Sequence, residues 1–277
     1  MSDVSQTTIG TLVEEGMQAS HGVRCIRRIV TTSWDDGDLA DLRLAEVLKF
    51  RGVRGTFYVP VSPYNGRPSL GPQQLRSISS EGFEIGAHGV SHKLLWGLPQ
   101  EELDQEIGPC KPILEDILGS EVGMFCYPRG RYDRKAVLAL KRAGYRGART
   151  VRMLATCLDF NPFEMPTSLQ VFPHSQSSYL RNVLRARMKG LRVCLSHRSQ
   201  LESWLDLGKS LFDSVLEDGG VWHLYGHSWE INQFGLWDSL EELVTYVSGR
   251  QGVTYVTNGQ LLEFIPGARV ETKQTGP

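Results

Sequence analysis

No apolar run in this 277-residue chain approaches the roughly 18 residues a membrane-spanning helix needs, so the sequence predicts no transmembrane segment. Met1 to Gln18 mixes Asp3, Glu14 and Glu15 with Ser and Thr and has no apolar stretch behind a positive start. A secretory signal is not expected there, and the reading is cytoplasmic. Excess basic charge is missing too. Lys plus Arg number 30 against 31 Asp plus Glu, a formal charge of −1, which leaves no electrostatic footprint for nucleic acid. The five cysteines (Cys25, Cys110, Cys126, Cys157, Cys194) are scattered and never form Cys-x-x-Cys, which argues against a thiolate zinc or redox site and for reduced thiols. Repeats and low-complexity segments are absent as well.

What is present reads as alternating strands and helices. Strands are predicted at Arg28 to Ser33, Gly55 to Pro60, Phe83 to Ala87, Val122 to Tyr127, Tyr145 to Thr150, Val221 to Gly226 and Val253 to Val256. Helices are predicted at Leu39 to Phe50, Gln73 to Ser80, Pro99 to Leu118, Arg134 to Arg142, Tyr179 to Lys189, Leu201 to Glu217 and Ser239 to Val247, the third complicated by Pro109 and Pro112. The alternation implies an α/β fold, a distorted (β/α) barrel of about seven parallel strands in a single domain. Its expected span is 26–266, between an N-terminal arm, 1–25, and a C-terminal tail, 267–277.

In such folds functional groups gather at the carboxyl ends of the strands. Asp35 and Asp36 follow the first strand, His88 and His92 the third, Tyr127 to Asp133 the fourth, and His227 the strand Val221 to Gly226. Asp-Asp-Gly alone is commonly a turn or helix cap, and two histidines four apart are usually innocent. Together at strand ends they favour a metal: Asp36, His88 and His92 form a two-imidazole, one-carboxylate set that suits catalytic zinc and also admits cobalt or nickel. Trp34, Tyr127, Trp229 and Trp237 could stack on a ligand's ring, although aromatics in a barrel more often fill its core. His223 reads as a packed residue, and His21, His174 and His197 have no evident partners.

Ser33-Trp34-Asp35-Asp36-Gly37 and His88-Gly89-Val90-Ser91-His92 resemble the first two motifs, Thr-Phe-Asp-Asp-Gly and His-Ser/Thr-x-x-His, of the polysaccharide deacetylase family. These are metal-dependent carbohydrate esterases. Gly55-Thr56-Phe57-Tyr58-Val59-Pro60 is similar to the family's second strand, and the similarity runs from about Arg28 to Phe264. The resemblance implies one divalent metal on Asp36, His88 and His92, Asp35 as general base and His227 as general acid. It also implies an N-acetylated sugar or glycan precursor as substrate. The third motif, Arg-x-Pro-Tyr-Gly, departs: Cys126-Tyr127-Pro128-Arg129-Gly130 puts a thiol where the base-orienting arginine belongs, and Arg149, then Arg129, are the candidates to replace it. Tyr127, Arg129, Gly130, Arg149 and Trp229 are candidates for contacting substrate or oxyanion, and Asp159 for supporting the catalytic histidine. Leu224-Tyr225-Gly226-His227 is one residue longer than the family's Leu-x-His. Hydrolysis of a different linear or cyclic amide, and sugar binding without turnover, remain open alternatives.

Overall fold

The computed structural model describes residues 27–63, 66–175, 179 and 203–266. The expected arm, the tail, most of the basic helix after Tyr179, and His21, Cys25, Cys194 and His197 lie outside the described residues.

Chain order is β1 (Arg28–Asp35), α1 (Asp41–Phe50), β2 (Gly55–Val59), α2 (Pro72–Ser80), β3 (Glu84–Ala87), α3 (Gln100–Ile107), α4 (Cys110–Leu118), β4 (Met124–Cys126), α5 (Arg134–Arg142) and β5 (Gly147–Arg149). There follow β6 (Leu169–Gln170), α6 (Trp204–Asp218), β7 (Gly220–Gly226), α7 (Ser228–Phe234), α8 (Trp237–Val247), β8 (Thr254–Tyr255) and α9 (Asn258–Leu261). The strands pair in parallel in the order β5-β4-β3-β2-β1-β7-β6. β7 flanks β1 from Arg28 to Trp34, so β8 joins β1 at Ile29 and Val30 on the other side, before β2 begins at Thr32.

The sheet curls, and one segment bridges its edges. Met165 exchanges backbone hydrogen bonds with β5 through Ala148 O and Thr150 N, and four residues later Leu169 and Gln170 pair with β7. The α/β fold of about seven parallel strands read from the sequence is therefore present as a curled half-barrel, but β6 was not among the strands expected, and the strand expected at Val253 to Val256 is the two-residue β8 beside β1.

Side chains alternate across each strand. Val30, Trp34, Phe57 and Phe125 face the helices in the larger core, whereas Ile29, Tyr58, Met124, Cys126 and Val221 belong to a smaller cluster closed by Val256, Leu261 and Leu262. Asp35, His88, Arg149, His223 and Tyr225 share the parity of that inner set. The same period that builds the core thus aims them into the barrel.

The expected helix from Pro99 to Leu118 is two helices. Gly108 ends α3, and Pro109, which has no N–H to continue the ladder, precedes α4. Asp133 caps α5 by accepting from Lys135 N and Ala136 N, as its place before the apolar pattern suggests. α6 begins at Trp204 behind the cap Ser203. Among the described residues no helix is long and apolar enough to cross a membrane.

Candidate metal centre and active site

β1 ends in Asp35 and turns through Asp36 (φ 78°) and Gly37 (φ 62°). Two successive left-handed residues swing the Asp36 carboxylate over the barrel mouth, and a side chain on Gly37 would press to 2.8 Å from Val59 Cγ1. After β3, Gly89 (φ 85°) turns the chain so that His92 returns beside His88, their ring centres 4.8 Å apart. A positive φ at this position suits glycine. Glu106 of α3 ties the loop down, accepting from Ser91 N and Ser91 Oγ. His92 and Arg129 also have positive φ; with Asp36 they are three of the four such non-glycine residues described, and all three line one cleft. Strained backbone gathered at one site marks it as functional.

Asp36 Oδ1 lies 3.6 Å from His88 Nε2 and 3.3 Å from His92 Nε2, buried and without a hydrogen-bond partner. His88 Nδ1 is 2.8 Å from Cys126 O; a carbonyl only accepts, so Nδ1 carries the proton and Nε2 presents its lone pair. Burial lowers the His88 pKa to about 4, which keeps the ring neutral as a ligand must be. Burial raises the Asp36 carboxyl, but the close approach of the His92 imidazole and the charges of His227 and His88 outweigh it and hold it low. An orphaned carboxylate oxygen and two imidazole nitrogens within 4.8 Å of one another fit a divalent cation. Asp35, His88 and Cys126 come equally close. That set fits less well, because burial pushes the Cys126 thiol up, away from the thiolate, and Asp35 is committed to a cation.

The cation is Arg149, fully buried at the end of β5, whose Nη2 donates to Asp35 Oδ1. Its guanidinium also lies 4.7 Å from the Tyr225 ring centre and 5.5 Å from that of Tyr58. Burial would raise the Asp35 pKa, yet Arg149, then His88 and His227, lower it below the usual carboxylate range. Cys126 Sγ, 3.7 Å from Asp35 Oδ2, is a weak second donor.

His227 precedes α7. Its Nε2 is 3.9 Å from Asp35 Oδ2, and its Nδ1 hydrogen-bonds Glu230 Oε2 at 2.7 Å. Burial disfavours the imidazolium, but the Glu230 bond and the Asp35 and Glu230 charges raise the His227 pKa. Glu230 also accepts from Gln170 Nε2, and Gln170 Oε1 meets Tyr225 and His174, giving His174 a partner the sequence did not reveal. Glu230 is the residue that sequence reading missed. Its signal was His-x-x-Glu at a helix start, obscured because no helix was predicted between Gly226 and Ser239. The carboxylate hydrogen-bonded to His227 Nδ1 is Glu230, where Asp159 was the candidate.

The cleft, about 400 Å³, is lined by Asp35, Asp36, His88, His92, Arg129, Val151, Gln170, Tyr225, His227, Trp229 and Glu230. Other expected contacts are corrected. Tyr127 is buried with its hydroxyl donating to Phe163 O, Gly130 N is spent on Tyr127 O, and Arg149 lies behind Asp35 rather than in the lining. Arg129 and Trp229 do line the cleft, while Trp34 and Trp237 are core residues. His223 is buried, its Nδ1–H on Pro166 O and its Nε2 accepting from Ser33 Oγ, with a pKa lowered to about 3 chiefly by burial.

Residues 24–148 match the sequence profile of the polysaccharide deacetylase family. Two Bacillus subtilis proteins provisionally described as polysaccharide deacetylases are similar. YxkH is 24% identical over 120 residues, 43% of each chain, and YheN is 32% identical over 106 residues, 37% of this chain and 36% of YheN. The chain therefore spans less than half the length of either relative. A Mycobacterium smegmatis structure with the same provisional description superposes with a TM-score of 0.62 at 17% identity, covering 86% of this chain and 90% of the other.

Proposed function

We propose that this chain, a member of the polysaccharide deacetylase family by residues 24–148, is a metal-dependent hydrolase that removes the N-acetyl group from an amino sugar in a glycan or glycan precursor. One observation carries the reading. Asp36 Oδ1, orphaned between two imidazoles, opens on the same cleft as a carboxylate–histidine pair, Asp35 and His227, 3.9 Å apart. Asp36, His88 and His92 would hold one divalent ion, zinc by ligand type with cobalt or nickel admitted. When bound, the ion supplies an acidified water and charge stabilisation for the acetamide oxygen.

The residues divide the proton work. Arg149 keeps Asp35 ionised, ready to take the proton of the attacking water as its oxygen bonds to the acetyl carbon. Glu230 favours the protonated form of His227, the form that donates to the nitrogen as the C–N bond breaks. The products are acetate and a free amine. Trp229 and Arg129 on the rim are placed to contact the sugar.

Acetate release on a panel of N-acetylated sugars, with metal analysis of the same sample, tests this. Asp35→Asn and His227→Ala should keep the metal and each lower kcat by roughly 10²-fold or more. Parental turnover in both variants would remove the proposed roles. Free thiols at Cys110, Cys126 and Cys157 support work in a reducing, cytoplasmic compartment. Recovery of a processed form outside the cytoplasm would refute that placement.

A further inference from the structure

The two oxygens of Asp36 face different company. Oδ1 looks toward His88 and His92 with no hydrogen-bond partner, whereas Oδ2 accepts from Trp229 Nε1 at 2.9 Å and lies 3.3 Å from Arg67 Nη2. Arg67 is itself fixed on two sides. Its guanidinium carbon lies 3.9 Å from the Trp229 ring centre, and its Nε is 3.7 Å from Asp38 Oδ2. The stretch carrying Arg67 runs against the Asp36 turn: Leu39 N donates to Pro68 O, Leu70 N to Gly37 O, and Asp38 and Ser69 form an antiparallel bridge. Trp229 comes from α7, two residues beyond His227.

We propose that Arg67 and Trp229 are positioning residues that occupy Asp36 Oδ2, so that Asp36 offers one oxygen to the metal. This rests on the metal-hydrolase reading above. A carboxylate with both oxygens unengaged can bind a cation through one or both. A catalytic site with three protein ligands needs a position left for water, which a second carboxylate oxygen would take. Two N–H donors on Oδ2, one of them cationic, remove that option and draw charge away from Oδ1, leaving the metal a stronger Lewis acid. An exposed ion pair alone would do little. Here the arginine is mostly covered, 28% exposed against 6% for Asp36, and the indole shares the same oxygen. The clamp also joins the metal ligand to the helix that follows the proposed acid, so the two halves of the site keep a common frame.

Co²⁺ titration of the chelator-stripped full chain tests the inference, with the visible Co²⁺ spectrum as readout, because absorption weakens as coordination number rises. The probes are Arg67→Ala, Arg67→Lys and Trp229→Phe, the last keeping an aromatic ring while removing the N–H. The parent should bind one equivalent. Arg67→Ala and Trp229→Phe should bind Co²⁺ at least as tightly as the parent but with a weaker, shifted spectrum, and lose about 10- to 100-fold in kcat, the range usual for partners of metal ligands, with KM moving less. Arg67→Lys should restore part of the loss. Parental spectra and rates in both Arg67→Ala and Trp229→Phe would overturn the clamp while leaving the metal site intact. A parent that binds no Co²⁺, or an Asp36→Ala variant that binds it as the parent does, would instead overturn the metal assignment itself.

Discussion

Arg149 reaches Asp35 from the strand position paired with Cys126. β4 and β5 pair in register, Cys126 opposite Arg149, so a side chain moved across one strand arrives at the same carboxylate. That substitution was legible because an arginine at a strand end beside a missing arginine has a clear alternative role. The thiol cannot fill it, since burial keeps Cys126 neutral and a neutral thiol does not balance a buried carboxylate. Cys126→Ala should therefore retain most activity. Arg149→Ala strands Asp35 as an uncompensated buried charge, at a cost of about 3–5 kcal/mol, while Arg149→Lys keeps the charge and should lose less activity and less stability. Urea unfolding and acetate release on the three variants check this ranking; an inactive Cys126→Ala with an active Arg149→Ala would reverse it. Gly130 and Tyr127 were not legible in the same way. Sequence placed them after a strand, but only coordinates reveal that one N–H and one hydroxyl are already spent inside the fold.

At the scale of elements, β1, β2, β3 and α5 followed from alternation and caps, because each is bounded by a turn residue or a charged first turn. α7 did not. Ser228–Phe234 is seven residues with no long apolar stripe, and it holds together through its surroundings: Ser228 and Ile231 are buried, and Gly235 (φ 63°) ends it. This short helix organises the acid. A helix N-terminus disfavours a positive imidazole at its cap, and Glu230 in the first turn opposes that effect through a 2.7 Å bond to Nδ1. The folded His227 pKa is raised above 6.5, so the protonated, donating form persists as pH rises past that value and is lost only at the higher folded pKa. Glu230→Gln deletes the charge that raises it. The alkaline limb of kcat/KM should move to lower pH, while the acid limb, set by Asp35 below 3.8, stays in place. An alkaline limb unchanged by Glu230→Gln would show that His227 is not the group titrating there.

Across the whole molecule, the strand ends converge because the parallel barrel points all of them one way, and that geometry was readable from the alternation alone. Closure by Met165–Gln170 was not, since backbone pairing over so few residues leaves no periodic pattern in the side chains. The proposed ligands come from two turns, after β1 and after β3, each braced by hydrogen bonds to neighbouring structure. Metal binding should still stabilise it by mass action, by about 2.7 kcal/mol at a free metal concentration 100 times Kd. For a chain of this size that is a rise in Tm of roughly 5–10 °C, at about 2–4 °C per kcal/mol. Zinc also binds unfolded chains through cysteine and histidine, which subtracts from the shift. Asp36→Ala retains every cysteine and histidine, so the unfolded-state contribution is common to parent and variant and the difference in their zinc-dependent Tm shifts isolates the folded site. Thermal melts of both proteins with chelator and with zinc provide the measurement. Equal shifts in parent and variant would place zinc binding somewhere other than the cleft between β1 and β3.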